Sequence, residues 1–279
     1  MAKLEENHRV PVVLSIAGSD SGGGAGIQAD LKTFTMHRLP SASVLTCVTA
    51  QNTMGVTRVE ALSFQMVLAQ MQAVYSDLTI VAAKTGMLLN QSLIEAVANF
   101  LSEHPVQNLV VDPVMISRSG HALLDGEALQ AMRTSPLLSL AKIVTPNRHE
   151  AELLADTEVS TVQQMKHAAQ KIFDLGGACV LIKGGAIETF DRGTDVWFDG
   201  TDIEVLPGEF IDTKHTHGTG CSLSAAIVSN LALEMKPIDA CIAAKKYVTE
   251  ALRHSLQIGA GNGPICHYYL LKSGGIGEF

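Results

Sequence analysis

Short apolar runs that alternate with segments of helical periodicity constrain this chain more than any other feature. Val12-Val-Leu-Ser-Ile-Ala17 is bounded by Gly18, and residues 27–38 then carry apolar side chains at helical spacing, which predicts strand, glycine turn, helix. The alternation continues with predicted strands at 43–49, 79–84, 108–112, 142–145 and 178–182. Predicted helices fall at 64–76, 91–103, 126–133, 148–155, 161–175, 221–233 and 238–257, and Ser160 with Gln163 predicts a capping box for the one that begins at 161. Strands that are apolar nearly throughout and alternate with helices imply a parallel sheet covered on both faces. Asp195 to Val205 departs from the pattern: Asp199-Gly200 separates two strand-like runs as a hairpin turn does, predicting antiparallel decoration on one edge. In such sheets ligands bind at the carboxyl ends of the strands.

The 279 residues, 47% hydrophobic, suffice for a sizeable core, and the expectation is a single domain over 1–279 with flexible tails at 1–9 and 273–279. A net charge of −8 without a basic block argues against nucleic acid as a partner. Met1 to Arg9 contains no apolar h-region, and no run reaches the roughly 18 apolar residues of a membrane span, so the expected location is cytoplasmic and away from membranes. The five cysteines are scattered and form no C-x-x-C pair, which fits reduced thiols rather than a disulfide framework or a zinc knuckle.

Two glycine-rich turns carry the candidate chemistry. In Asp212-Thr-Lys-His-Thr-His-Gly-Thr-Gly-Cys-Ser-Leu-Ser-Ala-Ala-Ile227, Gly218 and Gly220 flank Thr219 just before an apolar helical segment. Successive N–H groups can converge there, where the first turn of a helix lacks internal partners and carries about half a positive charge, so residues 218–221 could hold a phosphoryl group with Cys221 beside it. The stretch taken alone also fits an ordinary glycine loop before a core helix, with Cys221 as a small buried hydrophobe. In the first turn, Gly18 to Gly26, Gly24-x-Gly26-x-x-Ala29 half-matches a dinucleotide fingerprint, but the acidic residue expected about 20 positions on is replaced by Thr49-Ala-Gln-Asn52. No G-x-x-x-x-G-K-[ST] occurs, so a P-loop is excluded.

Polar residues recur where strand ends are predicted: Gln51 and Asn52, Lys84-Thr-Gly-Met87, Asp112-Pro-Val-Met115, Thr145-Pro-Asn-Arg-His-Glu150 and Lys183-Gly-Gly185, with Asp30 on the first helix. Singly, Asp112 or Glu150 reads as a cap or surface charge and Lys183 as a solvated lysine. Together they line one rim of a sheet, facing the second glycine turn. His215-x-His217 finds no second ligand pair for a metal, and contact with substrate or phosphate is the better reading of a loop histidine there.

These segments in order, with Ala17-Gly-Ser-Asp-Ser-Gly-Gly-Gly-Ala-Gly-Ile-Gln-Ala-Asp30 and Thr216-His-Gly-Thr-Gly-Cys221 at either end, resemble hydroxymethylpyrimidine/phosphomethylpyrimidine kinases of thiamine biosynthesis. The resemblance implies a ribokinase-like three-layer α/β/α sandwich with a mostly parallel sheet, use of ATP with Mg²⁺, a pyrimidine substrate phosphorylated twice, and a homodimer. It assigns Gly18, Asp30, Gln51, Met87 and Val114 to the pyrimidine pocket, where the paired donor and acceptor of the Gln51 amide match an aminopyrimidine edge. Asn147, Lys183, Thr216 and His217 fall on the ATP side and Glu150 with Asp112 near Mg²⁺, largely through water. Gly218, Thr219, Gly220 and Cys221 are the expected catalytic group, and Cys221 stands where most ribokinase-like sugar kinases carry an aspartate base. A helix N-terminus lowers a thiol pKa and nearby phosphates raise it, and the sequence does not give the balance. Bacterial pyridoxal kinases share this cysteine, and a catalytically silent pyrimidine sensor is a third reading; Gln51-Asn52 favours the pyrimidine, and the phosphate- and metal-side residues argue against the sensor.

Overall fold

The computed structural model describes residues 10–115, 126–185 and 192–273. The chain begins with β1 (Val12–Asp20), α1 (Gly26–Met36), β2 (Ser41–Asn52), β3 (Gly55–Ala61), α2 (Phe64–Asp77), β4 (Ile80–Thr85), α3 (Gln91–Glu103) and β5 (Asn108–Val111). It continues through α4 (Gly126–Thr134), α5 (Leu137–Leu140), β6 (Ile143–Val144), α6 (Arg148–Ala155), α7 (Val162–Gly176) and β7 (Cys179–Ile182). A hairpin of β8 (Asp195–Phe198) and β9 (Ile203–Leu206) precedes α8 (Thr219–Ala232), α9 (Pro237–Arg253) and α10 (Tyr269–Ser273). Of the tails expected at 1–9 and 273–279, residues 1–9 and 274–279 lie outside the described residues, while Ser273 belongs to the last turn of α10. Among the described residues no helix is long and apolar enough to cross a membrane.

One sheet of nine strands runs in the order β3-β2-β1-β4-β5-β6-β7-β8-β9. The six strands from β2 to β7 pair in parallel, as their apolar character predicts. Side chains alternate between the two faces with period two. Leu14, Ile16, Ala83, Leu109 and Val111 pack under α2 to α7, whereas Val13, Ala82, Val110, Ile143 and Leu181 pack under α8 and α9 with Phe34 of α1. Three layers result, and every parallel strand points its carboxyl end at the same rim.

The β8–β9 hairpin forms at Asp199-Gly200 as predicted: Asp199 Oδ1 accepts the N–H groups of Thr201 and Asp202 at 2.9 and 2.8 Å, and Gly200 takes φ +98°. Antiparallel structure is not confined to that edge, because β3 pairs antiparallel with β2 at the opposite end of the sheet. No strand was expected there. Nearly all of β3 is exposed or half-exposed, so it lacks the buried face whose apolar pattern marks a strand in a sequence.

The cap of α7 lies one residue later than the Ser160/Gln163 pair suggests. Thr161 Oγ1 accepts the Gln164 N–H at 3.3 Å, and Gln164 Oε1 accepts the N–H groups of Thr161 and Ser160 at 3.0 and 2.8 Å. Ser160 Oγ turns to Glu158 instead. Both residues can cap, and the register is the one that buries Met165, Ala168, Ala169 and Ile172 against the sheet. Thr161→Ala is therefore expected to lower stability by about 1 kcal/mol in urea unfolding, and Ser160→Ala by clearly less. An equal loss from both would return the cap to Ser160.

Candidate active site

Along the carboxyl rim lies a cleft of about 760 Å³, and every site residue expected from the sequence lines it except Asp30. Its centre is the N-terminus of α8. Gly218 takes the N-cap position at φ +84°, and a Cβ there would fall 1.8 Å from the Gly24 carbonyl oxygen, so only glycine lets the two glycine turns lie backbone against backbone. Thr219 turns both its N–H and its hydroxyl back to the Thr216 carbonyl, at 3.3 and 2.6 Å. Of the donors expected from residues 218–221, that one is therefore already committed. Gly220 and Cys221 remain in the first turn, whose N–H groups find no carbonyl one turn back.

On one side of this turn stand Asp112, Asn147, Glu150 and Lys183. Lys183 Nζ lies 2.9 Å from Asp112 Oδ1 and 3.9 Å from Glu150 Oε2, and a Cβ on Gly220 would meet it at 3.6 Å, so the ammonium faces the α8 first turn. Burial opposes the lysine charge, but Asp112 and Glu150 outweigh it and hold the pKa above its ordinary value. Asp112 is buried and held at both oxygens: Thr145 Oγ1 donates to Oδ1 at 3.2 Å and Ser224 Oγ of α8 donates to Oδ2 at 3.0 Å. Asn147 and Glu150 form the capping box of α6, which explains locally why an Asn-x-x-Glu sequence sits here. The Glu150 carboxyl nevertheless opens on the cleft, and burial, opposed by Lys183, pushes its pKa up to about 7.

Gly18, Gln51, Met87 and Val114 gather on the other side, with the last three half-buried. A Cβ on Gly18 would lie 2.6 Å from Cys47 Sγ and 2.8 Å from Met87 Cε, so the backbone itself forms that wall. Thr49 Oγ1 donates to Gln51 Oε1 at 3.3 Å. His217, expected on the ATP side, is tied to the first turn: its Nε2 donates to Asp20 Oδ2 at 2.8 Å and stands 3.4 Å from Gln51 Nε2. The reason is the contact between the two glycine turns, which carries the residue before Gly218 onto the first turn. His215 is structural, with Nδ1 accepting the Gly263 N–H at 2.9 Å.

Asp30, expected in the pyrimidine pocket, lies beneath the floor. It is fully buried on α1, with Lys84 Nζ 2.8 Å from Oδ1 and Ser15 Oγ 2.6 Å from Oδ2. Burial raises its pKa against the opposing pull of Lys84. Cys221 lies between these groups, and burial pushes its thiol up to about 11 although the charge of Lys84 works in the other direction. Burial thus decides a balance the sequence could not supply.

Two groups of lining residues carried no sequence signal that was read. Asp20 gathers the first turn, accepting the N–H groups of Gly22, Gly24 and Ala25 at 2.8, 3.0 and 2.8 Å in addition to His217. Its pKa falls below the ordinary value because these bonds outweigh burial. Beyond Lys183 the cleft is walled by Arg192, whose guanidinium lies 3.9 Å over the Phe210 ring, and by Lys245, whose Nζ reaches Asp195 Oδ2 at 2.6 Å.

An anion-binding helix terminus beside lysine, carboxylates and an amide-lined pocket is arranged for phosphoryl transfer to a small polar molecule. Comparison with known proteins agrees. A Synechococcus elongatus hydroxymethylpyrimidine/phosphomethylpyrimidine kinase is 52% identical over 262 residues, covering 94% of this chain and 99% of that protein. Among solved structures, a Bacillus subtilis pyridoxal kinase in complex with ADP superposes with a TM-score of 0.86 at 37% identity, covering 94% of this chain and 99% of that one. A phosphomethylpyrimidine kinase from Clostridium difficile gives 0.77 at 38% identity, over 88% and 100% of the two chains. The phosphomethylpyrimidine kinase family model matches residues 20–266, a span that begins within the first glycine turn and takes in the rim and the second turn, and the chain belongs to that family of kinases.

Proposed function

We propose that this kinase transfers the γ-phosphoryl group of ATP to the hydroxymethyl oxygen of 4-amino-5-hydroxymethyl-2-methylpyrimidine and then to the resulting monophosphate, in thiamine biosynthesis. The carrying observation is that one cleft joins the Gln51–Met87–Val114 pocket to the α8 N-terminus, with Cys221 between them. In this reading Gln51 pairs with the aminopyrimidine edge, Met87 and Val114 cover the ring, and Gly220, Cys221 and Lys183 receive the transferring phosphoryl group. In the same reading Asn147, Lys183 and Thr216, which line the cleft along the rim, hold the nucleotide phosphates. The cytoplasmic location and the homodimer belong to the same proposal.

Among the described residues no cluster of three or more His, Cys, Asp or Glu could hold a metal by protein ligands alone. Asp112 and Glu150, bracketing Lys183, fit Mg²⁺ that keeps several waters and takes phosphate oxygens as its other ligands. Bound there, Mg²⁺ would neutralise charge developing on the phosphates. Cys221 is the proposed base. Its thiolate takes the hydroxyl proton as the substrate oxygen bonds to the γ-phosphorus and the bond to ADP breaks, and the thiol later returns that proton to water. A pKa near 11 leaves little thiolate at neutral pH, which a loose transition state tolerates because the proton leaves late.

The structural likeness to a pyridoxal kinase keeps pyridoxal as the second reading. ATP consumption measured with hydroxymethylpyrimidine and with pyridoxal separates the two, and turnover on pyridoxal alone would overturn the first.

Three variants test the roles. Gln51→Ala removes a paired hydrogen-bonding group and is expected to weaken pyrimidine binding by about 1–3 kcal/mol while leaving ATP binding unchanged; calorimetric titration of each ligand decides it, and equal weakening of both takes Gln51 out of the pocket. Glu150→Gln is expected to lower turnover and to raise the Mg²⁺ concentration needed for half activity. Since Glu150 titrates near pH 7, the wild-type Mg²⁺ requirement should also grow as the pH falls below about 7 and that of the variant should not; an unchanged requirement makes Glu150 a helix cap only.

Cys221→Ser is expected to lower turnover on the alcohol by roughly 10²–10⁴-fold, the span of a positioned base. The monophosphate presents an oxygen already ionised near neutral pH, its second pKa being about 6, so the second phosphorylation needs no base and should lose far less. Separate assays of the two steps check this. Equal losses would place Cys221 on the phosphoryl group and not on the hydroxyl proton.

A further inference from the structure

The mechanism so far gives no work to the buried pair of Asp30 and Lys84. A fully buried lysine on the floor of a cleft calls for a reason, because burial opposes its charge. Strand alternation supplies the geometry. Val13, Ala82 and Val110 face α8, so the residues two places on, Ser15, Lys84 and Asp112, face the same layer at the carboxyl rim. Ser15 and Lys84 are register partners across β1 and β4, and Asp30 of α1 bridges them from above. The helix α8 lands on this row: Ser224 donates to Asp112, and Cys221, three residues earlier, shares that helix face and is carried toward the adjoining strand and Lys84.

We propose that Lys84, fixed by Asp30 and Ser15, is the counter-charge of the Cys221 thiolate and a positioning residue for the proton that leaves the substrate hydroxyl. This rests on the reading of Cys221 as the base. The charged groups that face the thiol are Lys84 from β4, Lys183 beyond β7, Asp30 from α1 and Asp112 beyond β5, with the Gly26 N–H donating from the first turn of α1. Lys183 is shared between two carboxylates, Asp112 and Glu150, whereas among the described residues Lys84 is paired with one, Asp30, so less of its charge is offset at the sulfur. Asp30 works against the thiolate while it holds the lysine, so the two members of the pair act on Cys221 with opposite sign.

That opposition makes the test. The rate of Cys221 alkylation by iodoacetamide, read from the mass of its peptide, follows the thiolate fraction and is measured from about pH 7 to about pH 10 on the full chain without ATP or substrate. In Lys84→Met the pH profile should move to higher pH, making alkylation roughly ten-fold slower at a given pH for a displacement of one unit. In Asp30→Asn, which keeps the size and the polar contacts of the site, it should move to lower pH and the rate should rise several-fold. Loosened packing exposes the thiol in either variant and cannot displace the two profiles in opposite directions. Coincident profiles, or displacement of both the same way, overturn the proposal. If Lys84→Met does not fold, Asp30→Asn decides alone, and a profile that stays in place or moves to higher pH overturns it. The readout is independent of turnover, so the base reading falls or stands separately, on Cys221→Ser.

Discussion

The approach of Gly24 to Gly218 is the contact on which the rest of the site depends. The space that a Cβ of Gly218 would take is filled by the Gly24 carbonyl, and a Cβ on Gly24 would fall 2.4 Å from the His217 ring. Each turn thus requires the other to be glycine at the point of contact. Bonds from His217 and three loop N–H groups to Asp20 then fasten the pair. The start of α8 is thereby set over the rim of the sheet, between β1 and β5, and the position of Cys221 relative to the strand-end lysines follows. Alanine at Gly218 would be strained twice, by φ +84° and by the carbonyl, so the turn could reform only by moving the helix.

Two buried ion pairs, Asp30 with Lys84 and Asp112 with Lys183, flank that helix start. Buried pairs often add little to stability, because desolvation cancels much of the attraction, but breaking one leaves an uncompensated charge. Their value here is the field they fix in a place where phosphoryl charge is to be received. Glu150 is the adjustable member. Its pKa is raised from 4.5 to about 7, so the folded chain holds that proton more firmly than the unfolded one, and stability contributed by the protonated form is lost as pH rises through this window.

The order of strands and helices was legible in the sequence because parallel strands buried on both faces read as apolar runs and the helices between them as periodic segments. β3 was not, since an edge strand with little buried surface has no pattern to read. The rim residues Gln51, Met87, Val114, Asn147, Glu150 and Lys183 were legible because each follows a recognisable strand, and strand ends share a rim whatever the packing. The burial of Asp30 beneath the floor and the tie of His217 to the first turn were not legible, for the complementary reason. Which way a helical carboxylate faces depends on how α1 settles on the sheet, and which side a loop histidine joins depends on a contact nearly 200 residues away in the chain. Asp20 reads in sequence as an ordinary turn residue, and Arg192, Phe210 and Lys245 come from segments whose convergence only the tertiary structure provides.

The cysteine at position 221 makes physical sense in this field. Asp30 and Asp112 both raise its pKa, and the phosphates of a bound nucleotide would do the same. An aspartate in that place would add a further negative charge beside two carboxylates at the moment an anionic phosphoryl group has to enter, and would repel it. A thiol enters the encounter neutral, leaving the helix N-terminus and Lys183 free to attract the phosphate. On the proposed reading the thiol gives its proton to water before the transfer, Lys84 is the nearby cation that makes the thiolate accessible, and the thiolate becomes neutral again on taking the hydroxyl proton. The same neutrality suits a monophosphate substrate, whose own charge an aspartate there would also repel. A cleft that must accept first an alcohol and then its phosphate is therefore better served by a group that rests as a neutral thiol and acts as base only through its small thiolate fraction.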